Sequence, residues 1–224
     1  MARAIVFDVN ETLLDLGALD GPFEEAFGDA RWRREWFGQV LRLALVLTVT
    51  EAYRDFSVVA GAALEMTAQV AGISLGEDRR KEILAGVRRL PPHPEVPESL
   101  DRLRSAGLRL ATLTNSPPAT VEAQLENSGL RGFFERSLSV DEVGRFKPHR
   151  EVYHHAVREL GVQPSGMRLV AAHNWDVTGA IRAGCAAVFV ARPGMVLGPL
   201  DERPDIVGGD LSEVADRILA AEAG

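Results

Sequence analysis

A single cysteine, Cys185, leaves no partner for an internal disulfide, so nothing in the chain depends on an oxidising compartment. Long apolar runs are missing as well. The most apolar stretch, Val40 to Val49, is broken by Arg42 and falls far short of the roughly 20 residues a membrane helix needs. There is no basic excess either. A net charge of -7 argues for solubility and against a non-specific grip on nucleic acid or anionic membrane, while leaving room for a locally positive site that takes a small anion. The strand pattern Ala4-Ile5-Val6-Phe7 begins too early to leave space for a signal peptide, so a cytoplasmic protein is expected. Internal repeats and low-complexity tracts are absent. What is present, 46 % hydrophobic and 25 % charged residues over 224 positions, suffices for a well-packed core.

The second half alternates strand and helix patterns. A buried-strand run, Leu108 to Leu113, follows Gly107, a helix-ending glycine. Ser116-Pro117-Pro118 reads as a cap with proline in the first turn of a helix that carries Val121 and Leu125 and stops at Gly129. The next helix places Val152, Tyr153, Ala156, Val157 and Leu160 on one apolar face and ends at Gly161. The strand Arg168 to Ala172, a helix from about Trp175 to Ala183 and the strand Ala187 to Val190 follow, with Cys185 as a small buried residue at the last strand's start. Such alternation predicts an α/β fold: a parallel sheet with helices on both faces and a ligand site beyond the strands' carboxyl ends. Between about Leu16 and Leu90 the patterns are helical instead. Trp32, Trp36, Phe37, Val40, Leu41 and Leu45 recur at helical spacing, and Ser74 with Glu77 has the form of a capping box before Ile83, Leu84 and Val87. The proline-rich run Pro91 to Pro97 marks a return linker. An all-helical insert over residues 16–92 is therefore expected, within a core made of residues 1–15 and 93–224.

Four separated segments carry polar clusters at strand ends or in the loops that follow: Asp8-Val9-Asn10-Glu11-Thr12, Thr114-Asn115-Ser116, Lys147-Pro148 and His173-Asn174-Trp175-Asp176. Each alone has an ordinary explanation as a loop cap, a turn, a solvated lysine or a helix cap. In a parallel sheet, however, those positions converge on one edge. A nucleophile, hydroxyl and amide donors, a cation and a second carboxylate can meet there.

In order and placement these clusters resemble the haloacid dehalogenase superfamily, and the resemblance covers nearly the whole chain. Asn10-Glu11-Thr12-Leu13-Leu14-Asp15, Lys147-Pro148 followed by Tyr153, and Trp175-Asp176 look most like its 2-haloacid dehalogenases. The resemblance implies a Rossmann-like parallel core with an inserted helical cap, usually in a homodimer. It also implies a reaction in which Asp8 displaces halide from carbon and the resulting aspartyl ester is hydrolysed. The expected partners are a small carboxylate substrate and halide, with no metal or other cofactor. In this reading Asp8 is the nucleophile, activated by position and desolvation rather than by a lowered pKa, and Lys147 keeps it ionised. Thr12, Thr114 and Asn115 hold Asp8 or the substrate carboxylate. Asn10, Glu11, Phe37 and Trp175 line the substrate site. Asp176 orients water or pairs with Lys147. Trp175 and Tyr153 can equally be packing, and Tyr153, on an apolar helix face, favours the core.

Two substitutions separate this assignment from the superfamily's phosphatases. The phosphatases' general acid stands two places after the nucleophile, where this chain has Asn10, an amide with no proton to give to a leaving group. Their additional acid stands four places before the position of Asp176, where this chain has Ala172. A departing halide needs no proton. The chain also departs from the dehalogenase pattern, with Asn10 where that family has tyrosine. Aligning Trp36 and Tyr53 puts Phe37 in place of the cap arginine, for which Arg31, Arg33, Arg34 or Arg42 are possible substitutes. Ala171 and His173 replace a serine and an asparagine. His173, with an ordinary pKa near neutrality, either assists the hydrolytic water or hydrogen-bonds the loop. A Mg2+-dependent phosphatase and an inactive small-acid binder stay open as alternatives. His93, His149, His154 and His155 form no trusted metal pattern, with His154 and His155 expected to be solvated. Gly194 and Gly208-Gly209 read as turns rather than phosphate loops.

Overall fold

The computed structural model describes residues 4–222. Its first strand, β1 (Ala4–Phe7), is fully buried, as a four-residue apolar run must be when both sheet faces are covered. Four helices follow: α1 (Asp20–Phe27), α2 (Arg31–Val49), α3 (Phe56–Ala71) and α4 (Glu77–Gly86). The chain then runs through α5 (Val96–Ser105), β2 (Arg109–Thr114), α6 (Pro118–Asn127), β3 (Arg136–Ser139) and α7 (Arg150–Leu160). It finishes with β4 (Met167–Ala171), α8 (Asn174–Arg182), β5 (Ala186–Val190), β6 (Ile206–Gly208) and α9 (Leu211–Glu222).

All strand pairs are parallel, in the order β3-β2-β1-β4-β5-β6. This is an α/β fold with a Rossmann-like sheet. Its direction of winding reverses between β1 and β4, and a crevice opens there beyond the strand ends. Phe7 lies level with Thr112 of β2 and Val170 of β4, so the residues after these three strands emerge side by side. Short β3 and β6, and helix α9, extend the sheet and its cover beyond the elements read from sequence. Gly208 is the last residue of β6, paired with Val190, rather than a turn; its ideal Cβ would lie 2.8 Å from Val214 Cγ2, so only glycine lets α9 pack this close.

Every regular element between β1 and α5 is helical. Helix α2 lies on α3, with Trp36 Nε1 donating to Ala60 O at 3.0 Å, and the Phe23 ring stands 5.3 Å from both Phe27 and Trp36. The outgoing and returning chains of this insert are stitched together: Asp15 N donates to Pro91 O and His93 N donates to Leu13 O. On its far side, Phe146 N donates to Thr48 Oγ1 and Tyr53 OH donates to Asp141, fastening cap to core beside the Lys147 loop. Two expected caps form differently. Helix α4 starts from Gly76 rather than from a Ser74 box, and α6 from Pro117, which frees the Ser116 hydroxyl for other use.

The apolar face of α7 turns inward, and Gly161, at φ 64°, ends the helix. This face meets α8 at Gly179, where a Cβ would stand 2.5 Å from Tyr153 Oη and 2.6 Å from Pro148 Cβ. Gly179→Ala should therefore lower unfolding free energy by about 1–3 kcal/mol in urea titration, the usual cost of overpacking a tight contact.

Candidate active site

Asp8 follows β1 directly, and its N–H donates to Val170 O of β4 at 3.0 Å, which fixes the side chain at the mouth of the crevice. Its two carboxylate oxygens are held differently. Oδ1 accepts from Lys147 Nζ at 2.8 Å; Oδ2 accepts from the Thr12 hydroxyl at 2.8 Å and lies 3.1 Å from His173 Nδ1. Thr12 is itself set by Ala172 N, which donates to its Oγ1 at 3.0 Å, so one hydroxyl ties the end of β4 to the Asp8 loop.

Lys147 comes from the loop before α7 and is buried. Its three ammonium protons meet three acceptors: Asp8 Oδ1, Asp176 Oδ2 at 2.6 Å and Leu113 O at 2.9 Å. Its backbone N–H donates to Asn115 Oδ1 at 3.0 Å. Asn115 thus positions the lysine, and the Thr114 hydroxyl accepts from Ser116 N; the hydrogen bonds of both residues go to the loops around Asp8 rather than to Asp8 itself. Asp176, in the first turn of α8, also accepts from Tyr153 Oη at 2.6 Å. Tyr153 is therefore a member of the polar network and not only core; spacing reveals an apolar face but not what a hydroxyl at its edge will meet.

His173 bridges Asp8 and Glu11, with Nε2 3.0 Å from Glu11 Oε2. The Trp175 ring stacks on it at 4.9 Å between centroids, and Phe37 of α2 lies 6.2 Å away. One helical turn before Phe37, the buried Arg33 brings a guanidinium 3.8 Å from Glu11 Oε1 while also pairing with Asp20. Of the candidate cap arginines, Arg33 reaches the site through Glu11. Arg34 lines a cavity shared with Arg33 and Glu11, Arg31 pairs with Asp29, and Arg42 donates to Gln39. Asn10 points elsewhere: its Nδ2 donates to Ser116 Oγ at 3.3 Å and its Oδ1 accepts from Gln124 Nε2 at 2.9 Å. Gln124 and Arg192, which donates to Thr12 O at 2.9 Å, have no motif that marks them in the sequence. His155 is buried beside Glu142, contrary to the solvated role expected of it, and half-buried His154 contacts Ala183 O.

The electrostatics follow from burial set against pairing. Burial alone would raise the Asp8 pKa, yet Lys147 and His173 outweigh it and hold the carboxyl well below the ordinary range. Asp8 is thus an ionised carboxylate with a depressed pKa, contrary to the expectation of an unlowered one. Burial and the neighbouring Asp8 push Asp176 upward instead, and the two carboxylates press Lys147 upward against its own burial. For His173, burial lowers the pKa, but its bonds to Asp8 and Glu11 prevail and push it up to about 9, not near neutrality.

Phe37 stands in the wall of two cavities beside this cluster. One, of about 270 Å³, is walled by Trp36, Phe37, Val40, Phe56 and Leu84 with Asn10 at its polar end. The other, of about 590 Å³, is lined by Glu11, Arg33, Arg34, His173 and Arg192. Among the described residues, no group of three or more His, Cys, Asp or Glu side chains is arranged to hold a metal ion, and no helix is long and apolar enough to cross a membrane.

A family model for haloacid dehalogenase-like hydrolases matches residues 2–184. The chain belongs to that family. Among the relatives of this hydrolase is an (S)-2-haloacid dehalogenase of Pseudomonas sp. (strain YL), 32% identical over 209 residues that cover 91% of this chain and 88% of the relative. Haloacetate dehalogenase H-2 of Moraxella sp. (strain B) is 29% identical over 209 residues, covering 91% and 92%. Among solved structures, the L-2-haloacid dehalogenase of Xanthobacter autotrophicus with chloropropionic acid covalently bound superposes with a TM-score of 0.91 at 27% identity, covering 97% of this chain and 98% of that one. These similarities extend through the helical cap as well as the sheet.

Two outcomes test the site's electrostatics. Lys147→Met would leave two buried carboxylates facing each other without a cation, and should cost about 3–5 kcal/mol of unfolding free energy in urea titration. His173 has a folded pKa of about 9, above its ordinary 6.5, so the stability it contributes is complete below pH 6.5 and is lost as pH rises through 9. Melting temperature should fall over that interval in the wild type and fall less in His173→Asn.

Proposed function

We propose that this hydrolase is a dehalogenase of short 2-haloalkanoic acids. The Asp8 carboxylate attacks C2 of the substrate, a carbon–oxygen bond forms, and halide leaves with the bonding pair. Water then hydrolyses the aspartyl ester, releasing a 2-hydroxy acid and a proton and restoring Asp8. The observation that carries this reading is the buried, ionised carboxylate at the switch point of the sheet, held on one oxygen by a fully coordinated buried lysine. The relatives' names and the covalent adduct borne by the Xanthobacter enzyme support it.

The surroundings favour displacement of a leaving group that needs no proton. Asn10 is occupied with Ser116 and Gln124 and has no acid proton to offer. The charged cavity with Arg33, Arg34 and Arg192 suits the substrate's carboxylate, and the apolar one suits its alkyl group. Lys147 and Asp176 maintain the nucleophile's charge and orientation, Thr12 supports it directly, and Asn115 and Thr114 hold the loops. Residues 16–92 act as the cap that closes the crevice, and the enzyme works in the cytoplasm as a homodimer.

Purified enzyme incubated with haloacetates or 2-halopropionates in EDTA should release halide, and Asp8→Asn should lower the rate by about 10⁴-fold or more. Halide release that survives in the Asp8 variant would remove the covalent route. A wild-type enzyme inert toward haloacids would remove the reading altogether.

A further inference from the structure

Both ring nitrogens of His173 face carboxylate oxygens, Nδ1 toward Asp8 Oδ2 at 3.1 Å and Nε2 toward Glu11 Oε2 at 3.0 Å. An ionised carboxylate only accepts hydrogen bonds, so each nitrogen must donate, and an imidazole that donates twice is an imidazolium. A general base needs a bare nitrogen, which this ring lacks. We propose that His173 is a charged hydrogen-bond clamp on the carbonyl oxygen of the covalent ester rather than the base that activates water, and that Glu11 is the positioning residue that keeps it charged. The proposal rests on the reading of Asp8 as nucleophile.

The unequal holding of Asp8 assigns its oxygens. Oδ1 has one donor, Lys147, whereas Oδ2 has two, Thr12 and His173. The oxygen with fewer donors keeps more of its lone-pair density free, so Oδ1 forms the bond to carbon as the carbon–halogen bond breaks. Oδ2 becomes the ester carbonyl oxygen. When water adds to Cγ and gives up a proton to solvent, the π pair moves onto Oδ2, where two donors are already in place. Collapse breaks the Cγ–Oδ1 bond, the proton of the added hydroxyl passes to the departing alkoxide, and Asp8 is a carboxylate again.

Esterification removes the Asp8 charge, and Glu11 then carries the burden of keeping the ring protonated. Glu11 is built for a fixed position. Its backbone adopts φ 61°, a left-handed conformation rare for glutamate, held by its N–H donating to Leu14 O at 2.9 Å. Its second oxygen faces Arg33 of α2. The other charged and titratable groups near the ring are Lys147, on the far oxygen of Asp8, and, across the charged cavity, Asp15, Asp20, Arg34, Arg192 and half-buried His93, whose pKa burial lowers. Trp175 and Phe37 cover the ring. Pairing with the two carboxylates pushes the pKa of His173 up to about 9 against its burial, in keeping with a ring that stays charged.

The two roles predict opposite pH dependence for the ester's decay. Enzyme mixed rapidly with 2-chloropropionate and quenched would be followed by chloride release and by the intact mass of the protein carrying the adduct. For a clamp, ester decay slows as pH rises and the ring loses its proton; for a base, it speeds up. Glu11→Gln should shift that slowing to lower pH by about one unit or more. His173→Asn, with a neutral donor, should keep a chloride burst but slow ester decay roughly tenfold or more, so that adduct accumulates. Ester decay that rises with pH through the titration, or burst and decay slowed equally in His173→Asn, overturns the clamp. An unmoved profile in Glu11→Gln removes Glu11 from it. Wild-type enzyme that releases no chloride fails at the earlier step and sinks the reading beneath the proposal.

Discussion

The ammonium of Lys147 is the interaction around which the site is organised. It sits in the interior with three acceptors for three protons: a carboxylate at the end of β1, a carboxylate in the first turn of α8 and a carbonyl of β2. Taking a lysine out of water costs several kcal/mol, which only complete pairing offsets. That requirement couples distant parts of the chain. The loop before α7 must enter the crevice, Asn115 must receive the lysine's own N–H, and α8 must start where Asp176 can reach. Tyr153, donating to the other oxygen of Asp176, keeps that second carboxylate from turning away from the lysine. Asp8 then has one oxygen oriented by a cation, and it stays ionised despite its burial.

The sheet makes this convergence possible at little local cost. Because β1 is central and β2 and β4 flank it in register, three short segments of unrelated sequence leave the sheet next to one another. Each presents side chains or backbone groups that the others need: a carboxylate from Asp8, a carbonyl from Leu113, an imidazolium from His173. The cap closes the fourth side. Helix α2 carries Arg33 and Phe37 one turn apart, so a single helical face supplies both a cation toward Glu11 and a ring toward His173.

The elements legible in the sequence were those with strong periodicity or punctuation. The buried run at β1, the apolar face of α7 with its terminal Gly161, and the proline-rich return from the helical insert all carry their own signal. Strand β3, Arg-Ser-Leu-Ser, does not, because its first residues are polar and its pairing is decided by β2. The convergence of Asp8, Lys147, Asp176 and His173 followed from topology once the strands were assigned. What each group does to its neighbour did not. The charge on His173 depends on two carboxylates placed at opposite ring nitrogens, one of them from a glutamate in a left-handed backbone conformation. The role of Tyr153 depends on a hydroxyl at the rim of an otherwise apolar face. Such facts belong to distances of about 3 Å between residues far apart in sequence, where spacing carries no information.

Seen as a set of charges, the groups around Asp8 nearly balance at rest: Asp8, Asp176 and Glu11 against Lys147, His173 and Arg33, the last shared with Asp20. Alkylation of Asp8 in the proposed reaction would remove one negative charge and leave the cluster with a positive excess in a buried setting, where electrostatic effects are larger than in water. That state favours expulsion of the proton of the attacking water and welcomes a negative charge on the tetrahedral centre. The original balance returns as the oxyanion forms and again when the carboxylate is regenerated. A cluster arranged to stabilise an ionised Asp8 is by the same arrangement poorly matched to the neutral ester and well matched to the transition state that follows it, which is the condition for binding energy to accelerate a reaction.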